Sequence, residues 1–68
     1  KLNAPMAGTI LEVKGKGGQQ VNAGDVLFIL EAMKLENEVV APNGGVVKSI
    51  TVSKGDAVEN GKLLAIIG

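Results

Sequence analysis

An all-β fold is the class this sequence predicts, and three observations carry it. Ten glycines recur through 68 residues, which weighs against helices of three turns or more. The apolar share is 46% with Phe28 the single aromatic, so the core must be built from Val, Leu and Ile, residues suited to extended chain. Residues 4–31 also repeat without a gap as residues 41–68, which points to a two-fold symmetric domain.

Eight of the 28 aligned positions are identical: Ala4 with Ala41, Pro5 with Pro42, Gly8 with Gly45, Gly18 with Gly55, Val21 with Val58, Gly24 with Gly61, Leu27 with Leu64 and Ile29 with Ile66. A composition this rich in Gly and Val yields roughly two or three matches by chance. Two copies are too few for a solenoid.

Five strands follow in order. Thr9 to Lys14 comes first, bounded by the Gly17-Gly18 turn, and Val26 to Ala32 follows the Asn22-Ala23-Gly24 turn. Leu35 to Ala41 precedes Asn43-Gly44-Gly45, Val46 to Val52 precedes Lys54-Gly55-Asp56, and Leu63 to Ile67 follows Asn60-Gly61. Alternation breaks between Ile10 and Val13, and again between their counterparts Val47 and Ile50. The same irregularity at equivalent places predicts a bulge in each repeat. Val26 to Leu30 is apolar throughout, as in a strand buried on both faces or passing through the core. Two small sheets packed face to face, or one flattened barrel, accommodate all of this.

Length and composition bound the rest. Residues 1–68 make one domain, expected to be monomeric, without the separate subdomains of a conventional enzyme. Seven lysines and seven carboxylates cancel, and no basic patch or set of stacking aromatics is present, so nucleic acid is not an expected partner. No apolar run approaches the ~20 residues of a membrane helix. The absence of cysteine removes disulfides and thiolate chemistry and favours a reducing compartment, the cytoplasm first. The cytoplasmic face of a membrane complex, or an organelle matrix, is also compatible. The fold is under way almost from Lys1, as in a domain cut from a longer protein.

No catalytic constellation can be composed without His, Cys, Tyr, Trp or Arg. Ser49 and Ser53 have no base to activate them, Glu36 and Glu38 share a solvated strand face, and Gly15, Gly17 and Gly18 lack the spacing of a phosphate loop. What remains is Glu31-Ala32-Met33-Lys34-Leu35-Glu36-Asn37-Glu38, which lies between the repeats. A two-fold axis puts this connector at a hairpin tip with Lys34 in solvent. Met33 and Leu35 are unusual there, where Gly, Asn or Asp is expected. On the residues alone, a lysine and two apolar neighbours within an ordinary strand, with Met33 filling core space, stands as the other reading.

The string Glu31-Ala32-Met33-Lys34 resembles the biotinyl-lysine signature of biotin carboxyl carrier domains, and Ala4-Pro5-Met6 and Gly24-Asp25-Val26-Leu27 fit the same family. The resemblance covers essentially the whole chain. Lipoyl domains share the fold but typically carry Asp-Lys-Ala at this hairpin. Leu35 stands where the family most often has Met. The resemblance implies a flattened β-barrel or sandwich of two four-stranded antiparallel sheets with pseudo-two-fold symmetry, a barrel-sandwich hybrid. The ungapped repeats place the chain with the thumbless carriers of carboxylases, transcarboxylases and sodium-pumping decarboxylases. It further implies that a biotin protein ligase joins biotin to Lys34. Glu31, Ala32, Met33, Leu35 and Glu36 then form the recognition motif, with Glu38 adding charge. An exposed amine is almost wholly protonated at neutral pH, so the acylation needs that separate enzyme. The lysine and biotin together form an arm of roughly 12–15 Å, which carries carboxybiotin between the active sites of carboxylase, carboxyltransferase or decarboxylase partners. The domain itself is then a non-catalytic carrier. The competing functions are a lipoyl-type carrier and an unmodified β-barrel interaction domain.

Overall fold

The computed structural model describes residues 1–68 and contains strands only. They are β1 (Leu2–Asn3), β2 (Gly8–Val13), β3 (Gln20–Val21), β4 (Val26–Ala32), β5 (Leu35–Val40), β6 (Gly45–Ile50), β7 (Ala57–Val58) and β8 (Leu63–Ile67). One sheet has the order β1-β8-β6-β3 and the other β5-β4-β2-β7, with every pairing antiparallel. Shifting β1-β8-β6-β3 by half the molecule reproduces β5-β4-β2-β7 strand for strand. The sequence repeat is therefore a structural two-fold.

The five strands read from the sequence are all present, Val26–Ala32 and Leu63–Ile67 at the bounds expected and the other three with ends displaced by at most two residues. The three additional strands are two residues long, too short to leave a periodic pattern. Register shifts fall between Ile10 and Glu12 and between Val47 and Ser49, the two places where alternation failed. Each bulge lets Ile10 or Val47 stay fully buried while the strand bends around the core.

Strands of both repeats interleave in each sheet. The Gly18 amide donates to the Val47 carbonyl, and the equivalent Gly55 amide donates to Ile10, at 2.7 Å in both cases. Gly24 donates to Ala41 and Gly61 to Ala4, at 2.8 and 2.9 Å. These glycines recur because the four turns hold them at φ of 86–91°, where a side chain clashes with the backbone. Gly8 and Gly45 recur for a different reason. A Cβ on Gly45 would lie 2.9 Å from the Gly68 carbonyl oxygen, and one on Gly8 would collide with the carbonyl of Glu31.

Between the sheets lies a core of 14 buried side chains, drawn from both repeats and centred on Phe28, Ile10, Leu27, Leu30 and Leu64. Each such large side chain contributes about 1.5–3 kcal/mol on burial. The apolar run in β4 is resolved by a register shift between Val26 and Phe28, which lets the adjacent Leu27 and Phe28 both be buried while Val26 and Ile29 stay half-buried. No buried side chain is polar or charged. Cohesion rests on aliphatic packing and backbone pairing alone.

The close approach at Gly8 is testable. Gly8→Ala should cost about 1–3 kcal/mol in urea unfolding, because the strand must move off Glu31. Gly17→Ala, with nothing within 4 Å of its added Cβ, should stay within about 0.5 kcal/mol of the parent.

Candidate functional site

The β4–β5 hairpin closes with Ala32 paired to Leu35, so Met33 and Lys34 alone form the turn. Their φ values are 53° and 65°, the only positive ones outside glycine. Two successive left-handed residues between paired strands make a type I′ turn, whose twist matches that of the hairpin. Asn-Gly is the usual occupant. A side chain in this region costs on the order of 1 kcal/mol, so Met-Lys makes the turn less stable than its geometry allows.

The turn is also where apolar surface is exposed. Met33 is 93% and Leu35 67% accessible. Ala32, by contrast, is buried beneath the tip and fixes the hairpin to the core. Met33 therefore does not fill core space. Lys34 is exposed and takes part in no ion pair, the chain's one pair being Lys14 with Glu12 at 3.9 Å. Its side chain makes no hydrogen bond to the rest of the chain either.

Carboxylates surround the tip on one side. Glu31 of β4 lies directly opposite Glu36 of β5, and Ile29 opposite Glu38, so the three acids share the outer face of the sheet. All three are exposed. Like charges directly across a strand pair are unfavourable by a few tenths of a kcal/mol. β2 extends the same face, because Thr9 pairs with Glu31 and Glu12 with Ile29. Glu12 was not singled out in the sequence reading; it sits 19 residues from the motif's first residue and joins the site only through sheet pairing. No group of three or more carboxylates is placed to hold a metal ion.

Two substitutions test the local energetics. Met33→Asn combined with Lys34→Gly should raise stability by about 1–2 kcal/mol in chemical unfolding, since both residues tolerate positive φ. Glu36→Lys should add about 0.2–1 kcal/mol at low salt, an increment that fades as salt rises.

Comparison with known proteins gives the geometry a context. The biotin–lipoyl family, described as biotin-requiring enzyme, matches residues 1–67. A biotin carboxyl carrier protein of Streptococcus mutans is 50% identical over 97% of this chain and 51% of its own length. The urea carboxylase of Kluyveromyces lactis superposes with a TM-score of 0.91 at 39% identity, over 98% of this chain and 6% of that one. The lipoyl domain of the Azotobacter vinelandii 2-oxoglutarate dehydrogenase complex superposes with a TM-score of 0.78 at 31% identity, over 91% of this chain and 78% of that one. The chain spans only 11% of an acyl-coenzyme A carboxylase subunit of Mycobacterium leprae and 6% of the pyruvate carboxylase of Staphylococcus aureus.

Proposed function

The chain belongs to the biotin–lipoyl attachment family, and from that membership we propose that it is a biotin carboxyl carrier domain whose attachment residue is Lys34. The observation that carries this reading is the turn itself. A lysine is held at positive φ, at an exposed tip between two repeats whose own surfaces carry no comparable feature. A strained turn that shows two apolar side chains to solvent is poor for stability and suited to recognition.

Attachment requires little of this chain. The Lys34 Nζ, once it has given up one proton, attacks an activated biotinoyl carbonyl; the new C–N bond forms as the bond to the activating phosphate breaks, and a second proton leaves, so that the amide nitrogen keeps one. The positive charge at the tip disappears, and Glu31, Glu36 and Glu38 become the dominant charges around it. Biotin, once joined, supplies a ureido nitrogen that accepts and releases a carboxyl group. The domain contributes position: paired strands hold the arm's base, while the ~12–15 Å of lysine and biotin side chain give reach.

The choice of catalytic partners is supported by the relatives. Carboxylases and a carrier protein are among them, so the partners are a biotin protein ligase for loading and the catalytic subunits or domains of a biotin-dependent carboxylase, transcarboxylase or decarboxylase for use. Glu31, Ala32, Met33, Leu35 and Glu36 form the surface that the ligase reads, in a monomeric domain working in the cytoplasm.

Co-expression with a biotin ligase tests the assignment. The chain should be captured by avidin with one biotin mapped by peptide mass to Lys34, and Lys34→Arg should abolish capture. Labelling that persists in that variant, or a lipoyl mass at Lys34, would overturn it.

A further inference from the structure

The two-fold supplies an internal control, because outward-facing residues of one sheet have counterparts on the other, Glu36 of the connector excepted. Across the first sheet runs the row Glu12–Ile29–Glu38, with Thr9–Glu31–Glu36 beside it. The equivalent of the first row on the second sheet is Ser49–Ile66–Lys1, and Gly68 stands where Glu31 does. The bulged residue is Leu11 on the first sheet and Lys48 on the second. The backbone is duplicated, but the chemistry of the two faces is not.

This asymmetry leaves an open groove on one face only. It has a volume of about 390 Å³ and is lined by Leu11, Val13 and Ile29 with Glu12, Glu36 and Lys54 at its margins. On the second sheet the Lys48 chain lies over the backbone instead, so close that a Cβ on Gly68 would sit 2.6 Å from its Cε. The other concavity in the molecule, of about 90 Å³, lies among Lys1, Pro42, Asn43, Gly44 and Ile67. Glu36 links the first groove to the hairpin, since it directly follows Leu35.

We propose that this groove is a second docking point for the biotin ligase, receiving an aliphatic side chain flanked by Lys or Arg on the ligase surface. This rests on the attachment reading above. Reach selects the ligase over the carboxyl-transfer partners. The ligase must act on Nζ, about 6 Å from the Lys34 Cα, whereas partners served by the complete arm work roughly 12–15 Å away. Ile29 lies three residues from Ala32, about 10 Å along the strand. An enzyme that closes over the tip from this side therefore covers the groove. Charge selects the chemistry of the contact: Glu12, Glu31, Glu36 and Glu38 outnumber Lys54 and Lys14, the latter 3.9 Å from Glu12. The apolar floor supplies the remaining contact area.

The experiment exchanges the two faces. Leu11→Lys with Glu12→Ser installs on the first bulge the pair that the second bulge carries. Lys48→Leu with Ser49→Glu is the reciprocal control, and Lys34 and the recognition motif are intact in both. In steady-state biotinylation with ATP, biotin and a biotin ligase, the first variant should raise KM for the domain about tenfold, leave kcat within twofold, and show a weaker salt dependence of kcat/KM than the parent. The reciprocal pair should change KM less than twofold, and unfolding midpoints should confirm that both variants are folded. An unchanged KM in the first variant, or equal increases in both, would overturn the docking proposal while leaving Lys34 attachment intact. A parent chain that takes no biotin would overturn both.

Discussion

The structure depends on hydrogen bonds that cross between the repeats. Gly18 and Gly55 each donate to a bulged strand of the opposite half, and Gly24 and Gly61 each donate to the opposite Ala41 or Ala4. With β3 on β6 and β7 on β2, neither half has a complete sheet or a closed core of its own. Two short, individually marginal halves thus become one cooperative unit. In a chain of 68 residues without disulfide, metal-holding side-chain cluster or buried charge, interleaving is the means of enclosing a core at all.

Interleaving also determines where the molecule differs from its own symmetry. One connector must pass from the first half to the second, and it has no counterpart. Residues 32–37 form that connector, and its turn residues Met33 and Lys34 meet the backbone requirement of a type I′ turn with side chains ill suited to it. Elsewhere positive φ is confined to glycine. Local stability is given up at the exposed hairpin tip, and the rigid pairing of Ala32 with Leu35 keeps that cost from spreading.

The repeats also separate the residues that serve the fold from those that distinguish its two faces. Six of the eight identical pairs are core residues such as Val21 and Val58, turn glycines, or glycines at close strand contacts, whereas Pro5 and Pro42 are exposed and Ile29 and Ile66 are half-buried on the outer faces. Non-identical outward pairs, Glu12 with Ser49 and Glu38 with Lys1, carry the electrostatic difference between the faces. The attachment string was legible because its members are contiguous in the chain. Glu12 and Leu11 were not, because they approach Ile29 and Glu36 only through sheet pairing and a bulge.

By itself the sequence determined the fold class, the two-fold and both bulges. Each is written in local chemistry: glycine where φ is positive or space is absent, aliphatic residues at the pleat's period, and irregularities repeated at a fixed offset. The tertiary structure alone decided that β1, β3 and β7 exist, because two-residue strands are defined by their partners rather than their sequence. It also decided that the turn is two left-handed residues with Met33 in solvent, and that one face carries an acidic groove while the other does not. Those features arise from pairing between distant segments, which no local pattern encodes.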